Sequence, residues 1–137
     1  MCSSDSEAQK ELEAALALKP DYHEVLNFLG YLYLEEDINL PQAEVMIRKA
    51  LEFQPNNGAY LDSLGWFYFK SGKIQEAIAE LEKASLLLAD PIIFDHLGDA
   101  YLQTSEPAKA KKSWEESLKL APGNKQVKEK LEKLLRY

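Results

Sequence analysis

The chain has 137 residues and one cysteine, Cys2, so it cannot form an internal disulfide. Only two histidines are present, His23 and His96, far apart in sequence. With Cys2 alone near Asp5 and Glu7, no metal-ligand spacing appears and no metal is expected. Basic charge is also scarce: Lys and Arg number 16 against 23 Asp and Glu, a formal charge of −7. A phosphate backbone needs the opposite balance, so nucleic acid is excluded as a partner. No apolar run approaches the roughly 20 residues of a membrane-spanning helix, so no membrane insertion is expected. Glycine-rich phosphate loops are missing, and no cofactor is expected. Alternating strand patterns are missing too. What remains is one domain's worth of chain, 46% hydrophobic, with helical patterning.

The six glycines and six prolines are few but ordered. Gly30, Gly65 and Gly98 are separated by 35 and 33 residues and share a frame. That frame reads Asn27-Phe-Leu-Gly-Tyr-Leu-Tyr-Leu, then Asp62-Ser-Leu-Gly-Trp-Phe-Tyr-Phe, then Asp95-His-Leu-Gly-Asp-Ala-Tyr-Leu. Ala43, Ala77 and Ala110 follow, leading to Ile47, Leu81 and Trp114 and then to Ala50, Ala84 and Ser117. Pro55 and Pro122 close the outer two units, and Ala89 stands at that place in the middle one. Three copies at this period are the mark of a stacked solenoid.

Each recurring residue has a local reason. Glycine on a first helix lets a second helix approach where a Cβ would separate them. The small Ala43, Ala77 and Ala110 do the same from the second helix, and large apolar residues one turn away fill the gap. The spacing predicts first helices over 22–35, 58–71 and 91–104, and second helices over 41–54, 74–88 and 107–120. Gly72 suits a left-handed cap, and Pro41 and Pro107 suit a first helical turn. The segment Glu36 to Leu40 carries one extra residue, which a surface loop absorbs.

The ends differ from the middle. Ala8, Leu12, Ala15 and Pro20 reproduce the second-helix frame without its first helix, so residues 7–21 read as a half-repeat behind a flexible tail, 1–6. Full repeats then occupy 22–56, 57–90 and 91–122. Residues 123–137 read as a capping helix, with Val127, Leu131, Leu134 and Leu135 on one stripe. Its remaining positions hold Lys125, Lys128, Lys130, Lys133 and Arg136 against Glu129 and Glu132, a local basic excess. The apolar Ala8, Leu12, Ala15 and Leu16 lack an equivalent cover and form a candidate self-association surface, making a homo-oligomer through 7–19 the alternative assembly. Cys2-Ser-Ser-Asp also matches the mature start of a lipoprotein, although no apolar signal segment precedes it in this chain.

Gly30, Tyr33, Ala43, Ala50 and Pro55, with their counterparts in the other two units, resemble the tetratricopeptide repeat (TPR) pattern. The resemblance covers residues 7–137. Departures are Ile47 and Leu81 at an aromatic position, Ser117 for alanine and Ala89 for proline. The frames around Gly30, Gly65 and Gly98 are similar to those of large, mostly bacterial multi-TPR proteins. The resemblance implies an all-α fold, a right-handed TPR superhelix (α-solenoid) of helix-turn-helix repeats with a C-terminal capping helix. It further implies a protein-binding scaffold or adaptor with a peptide-binding groove lined by first helices. The groove steps here hold Asn27, Tyr31 and Leu34, then Asp62, Trp66 and Phe69, then Asp95, Asp99 and Leu102. Aromatic residues among carboxylates suit a basic or amphipathic peptide or helical segment. The alternative is that Tyr31, Trp66 and Phe69 pack between repeats while the acids are merely solvated.

Two specialisations are not expected. Chaperone-binding members of the family hold a terminal carboxylate with lysine, arginine and asparagine at these steps. Here Asp62 and Asp99 would repel it, with Lys70 the one nearby cation. Ser63, His96 and Asp99 could supply a nucleophile, a base and its orienter, but no strained elbow or oxyanion hole accompanies them. No enzymatic activity is expected.

Overall fold

Helix ends are written into the sequence as caps and prolines, and the backbone follows them. The computed structural model describes residues 3–136, which form eight α-helices with no strand among them. These are α1 Ser3–Leu18, α2 His23–Glu35, α3 Leu40–Phe53, α4 Gly58–Lys70, α5 Ile74–Leu87, α6 Pro91–Gln103, α7 Pro107–Leu120 and α8 Lys125–Leu135. Asn57, Asp90 and Asn124 cap α4, α6 and α8 by accepting hydrogen bonds from the amides of Tyr60, Ile92 and Val127. Gly72 takes a positive φ of 80° at the turn from α4 to α5. Asp37 and Ser105 hold φ of 55° and 58° at the matching turns of the flanking repeats, so a left-handed residue recurs there without glycine. The extra residue of the first repeat sits in that turn, where Asn39 is also left-handed, with φ of 51°.

The recurring small residues act at the helix pairs α2/α3, α4/α5 and α6/α7. Ala43, Ala77 and Ala110 are fully buried, as are Ala50, Ala84 and Ser117. A Cβ on Gly30 would lie 2.9 Å from Ile47 Cγ1, and one on Gly65 would lie 2.7 Å from Leu81 Cγ. At Gly98 it would stand 2.2 Å from Trp114 Nε1, inside the indole. The large residue of the second helix therefore occupies the space the glycine leaves.

Successive hairpins stack through α3 on α4, α5 on α6 and α7 on α8. First helices also touch one another directly, α2 with α4 and α4 with α6, whereas successive second helices make no comparable contact. One layer is thus drawn together and the other splayed, which curves the stack toward the first-helix side. The fold is an all-α TPR superhelix.

Both ends depart from expectation. The first helix begins at Ser3, inside the stretch read as a flexible tail; its Ser-Ser-Asp-Ser sequence suits a helix start. Met1 and Cys2, and with them the lipoprotein reading, lie outside the described residues. At the other end Val127 is fully buried and Leu131 and Leu134 pack on the core of the third repeat, but Leu135 points to solvent. One residue beyond Leu134, it is rotated about 100° round the helix from that side chain.

Candidate functional site

The residues expected to line the groove separate into three groups. Leu34 does not line it: the side chain is fully buried in the core of the first repeat with Leu29, Tyr33 and Ile47. Its step on the helix is apolar and close to α3, so the core claims it. Trp66 and Asp62 are buried as well, though on the first-helix side. Asn27, Tyr31, Phe69, Asp95 and Asp99 are partly exposed, and Leu102 is 46% exposed.

An aromatic column joins the helices. The Phe69 ring stacks on Trp66 at 4.6 Å between centroids, and Trp66 stacks on His96 at 3.9 Å with the planes 13° apart. The Tyr31 ring lies tilted 6.3 Å from His96. The column therefore runs from Tyr31 of α2 through His96 of α6 to Trp66 and Phe69 of α4. His96 Nδ1 hydrogen-bonds Asp62 Oδ1 at 2.8 Å, one repeat away, which ties the imidazole to the preceding first helix. Trp66 Nε1 is buried with no hydrogen-bond partner among the described residues.

The acids are neither free posts nor merely solvated. Lys130 of α8 donates to Asp95 Oδ1 at 2.9 Å and to Asp99 Oδ1 at 3.0 Å. Asp95 Oδ1 also accepts from Trp114 Nε1 at 3.1 Å. Burial pushes the Asp99 carboxyl above its ordinary value, and Asp95 adds to that, against the opposing pull of Lys130 and His96. Burial works to lower Lys130, but hydrogen bonds and charge from Asp95 and Asp99 outweigh it and hold the ammonium above its usual value. The two directions agree on geometry: a cation sits between two carboxylates in a partly desolvated corner. Burial raises the Tyr31 phenol, aided by Glu35 and by the charges of Asp62 and Asp95, so that wall is electronegative.

The sequence reading missed Lys130 altogether, because a lysine on a polar-backed cap reads as solvated. It also missed Ile92, 52% exposed on the first turn of α6. The hydrolytic constellation does not assemble. His96 bonds Asp62, Asp99 bonds Lys130, and the Ser63 hydroxyl donates to the Ala59 carbonyl at 3.2 Å. No cluster of three potential ligands for a metal occurs among the described residues. The stripe Ala8, Leu12, Ala15 and Leu16 is partly buried rather than uncovered, with Leu12 and Leu16 packed on the core of the first repeat.

A model of the tetratricopeptide repeat matches residues 59–87 and 93–124, the second and third hairpins described above. The chain is a tetratricopeptide repeat protein. Over 94 residues it is 32% identical to a TPR repeat-containing protein of Pseudomonas aeruginosa, a stretch covering 69% of this chain and 16% of that protein. Over 120 residues it is 31% identical to the type IV pilus assembly protein PilF of the same organism, covering 83% of this chain and 46% of PilF. It thus spans less than half the length of both relatives. The solved structure of PilF superposes with a TM-score of 0.81 at 28% identity, covering 98% of this chain and 61% of that one. A TPR protein of Thermus thermophilus superposes with a TM-score of 0.82 over 98% of this chain and 75% of that one. At 21% identity this second likeness speaks for the fold alone. TPR folds generally mediate protein–protein interaction and are generally scaffolds rather than enzymes.

Proposed function

We propose that this TPR module is an adaptor that binds an extended or helical segment of a partner protein along its concave, first-helix face. The observation that carries the reading is the aromatic column of Tyr31, His96, Trp66 and Phe69, which crosses three helices on that face. Trp66 and His96 are buried within the column and hold it rigid, so the partly exposed Tyr31 and Phe69 offer apolar area without the entropy of ordering loops on binding. Leu102 continues the apolar surface toward α8, beside a cavity of about 390 Å³ that it lines with Trp114, Lys133 and Leu134. The general acidity attributed to the groove has to be narrowed. Asp95 and Asp99 are matched by Lys130, so they do not set the charge preference of a partner by themselves.

The test is selection of binding segments from a random-peptide display library against the whole chain, followed by two single substitutions. Leu102→Lys places a charge on the first-helix face, and Val45→Lys places one on the exposed side of α3. Selected segments are expected to lose about tenfold or more in affinity with Leu102→Lys and to be unaffected by Val45→Lys. The reverse order would move the binding face to the second helices.

A further inference from the structure

We infer that the notch between α2, α4 and the start of α6 seats one side-chain cation, a lysine ammonium or arginine guanidinium, from the segment held in the groove. This rests on the groove reading and specifies where its charge recognition sits. The notch is lined by Asn27 and Tyr31 of α2, Ala59, Asp62 and Ser63 of α4, and Asp90, Ile92 and Ile93. Its volume is about 160 Å³. Sites for whole small-molecule ligands run from about 300 Å³ upward, so the notch suits one side chain rather than a free metabolite.

Its polar groups include acceptors that no donor among the described residues meets. Asp62, itself buried, accepts from His96 Nδ1 through Oδ1, which leaves Oδ2 available. Asp90 accepts from the Ile92 amide through Oδ1 as a helix cap, and its other oxygen is likewise available. Asn27 contributes a buried Oδ1 with no donor among the described residues. Buried polar atoms are paired in the great majority of folded proteins, so an unpaired acceptor beside a half-engaged buried carboxylate marks a place where a donor is wanted.

No lysine or arginine among the described residues lines the notch. Lys70 of α4 and Lys130 of α8 are engaged elsewhere, Lys70 with Asp37 and Lys130 with Asp95 and Asp99. Ile92 and Ala59, backed by the fully buried Ile93, form an apolar side against which the methylene stem of lysine or arginine can lie, with its charged head toward Asp62. The preference for a positive partner therefore comes from the α2/α4/α6 notch, not from the pair of acids nearer α8.

The experiment titrates the isotope-labelled chain at pH 7 with N-acetyl-arginine amide, N-acetyl-lysine amide and the neutral N-acetyl-citrulline amide, following backbone amide shifts. Saturating shifts at Asn27, Asp62 and Ile92 are expected with one or both cations and not with citrulline. Asp62→Asn keeps an acceptor for His96 and is expected to weaken the cation about tenfold. Ile92→Lys, at an exposed position, is expected to abolish binding by placing an ammonium at the mouth. Equal binding of citrulline, insensitivity to both substitutions, shifts confined to Asp95 and Asp99, or no saturation with either cation would each overturn the assignment. Display-selected segments that still respond to Leu102→Lys would then leave the groove reading standing. If those segments ignore Leu102→Lys while the arginine titration succeeds, the groove reading fails and the notch remains.

Discussion

At the residue scale the three repeat glycines are not equivalent, although their frames are. Gly30 and Gly65 face Ile47 Cγ1 and Leu81 Cγ, aliphatic side chains that must re-rotate to admit a methyl, with the Ala43 and Ala77 carbonyl oxygens 3.3 Å from it. Gly98 faces the rigid indole of Trp114, whose Nε1 is also bonded to Asp95. An added methyl there has nowhere to go, so Gly98→Ala is expected to cost about 1–3 kcal/mol and more than Gly30→Ala, read from urea unfolding. The opposite sign is expected at the turn from α6 to α7. Ser105 holds a φ of 58° that glycine adopts freely, and Ser105→Gly is expected to stabilise by about 1 kcal/mol. The repeat pattern told which residues are small, whereas the rank of these effects depends on which atom faces each of them.

At the scale of the element, α8 is both a cap and a strut. Val127, Leu131 and Leu134 cover the core of the third repeat, while Lys130 reaches back to α6. The folded state holds the Lys130 ammonium above its ordinary value of 10.5. A raised value in the folded state stabilises fully below 10.5 and is lost as pH rises through the folded value. Thermal melts are therefore expected to lose an increment of stability above that pH, an increment missing in Lys130→Met. With Lys130 about one-third exposed, water screens the pair, and the substitution is expected to cost only about 1 kcal/mol near neutrality. Asp99 shifts in the other direction of effect. Its carboxyl is raised by burial, so its ionisation opposes folding above the ordinary aspartate range and that opposition is relieved on acidification. The cap stripe was legible in the spacing of Val127, Leu131 and Leu134; the strut was not, because nothing local links a lysine to carboxylates more than 30 residues earlier.

For the whole molecule, backbone packing is mainly between neighbouring helices of the stack, so stability is largely a sum of local hairpins and the interfaces between them. The helices α4 and α5 have packed neighbours on both sides, whereas α1 and α8 are each covered on one. Hydrogen exchange is therefore expected to be slowest in α4 and α5 and to quicken toward α1 and α8, and uniform protection would contradict that picture. The sequence by itself determined the hairpin, its period and its number, because helix packing distance is set by side-chain size at positions that recur every 33 to 35 residues. It also determined where helices begin and end, through caps, prolines and turn residues acting over a few positions. Only the tertiary structure decided which groove residues face outward. Leu34 went to the core, Trp66 into a stack with His96, and the acids near α8 to Lys130. Those outcomes depend on the curvature that brings one repeat's side chains against the next, and a periodic pattern is silent about what meets across that gap.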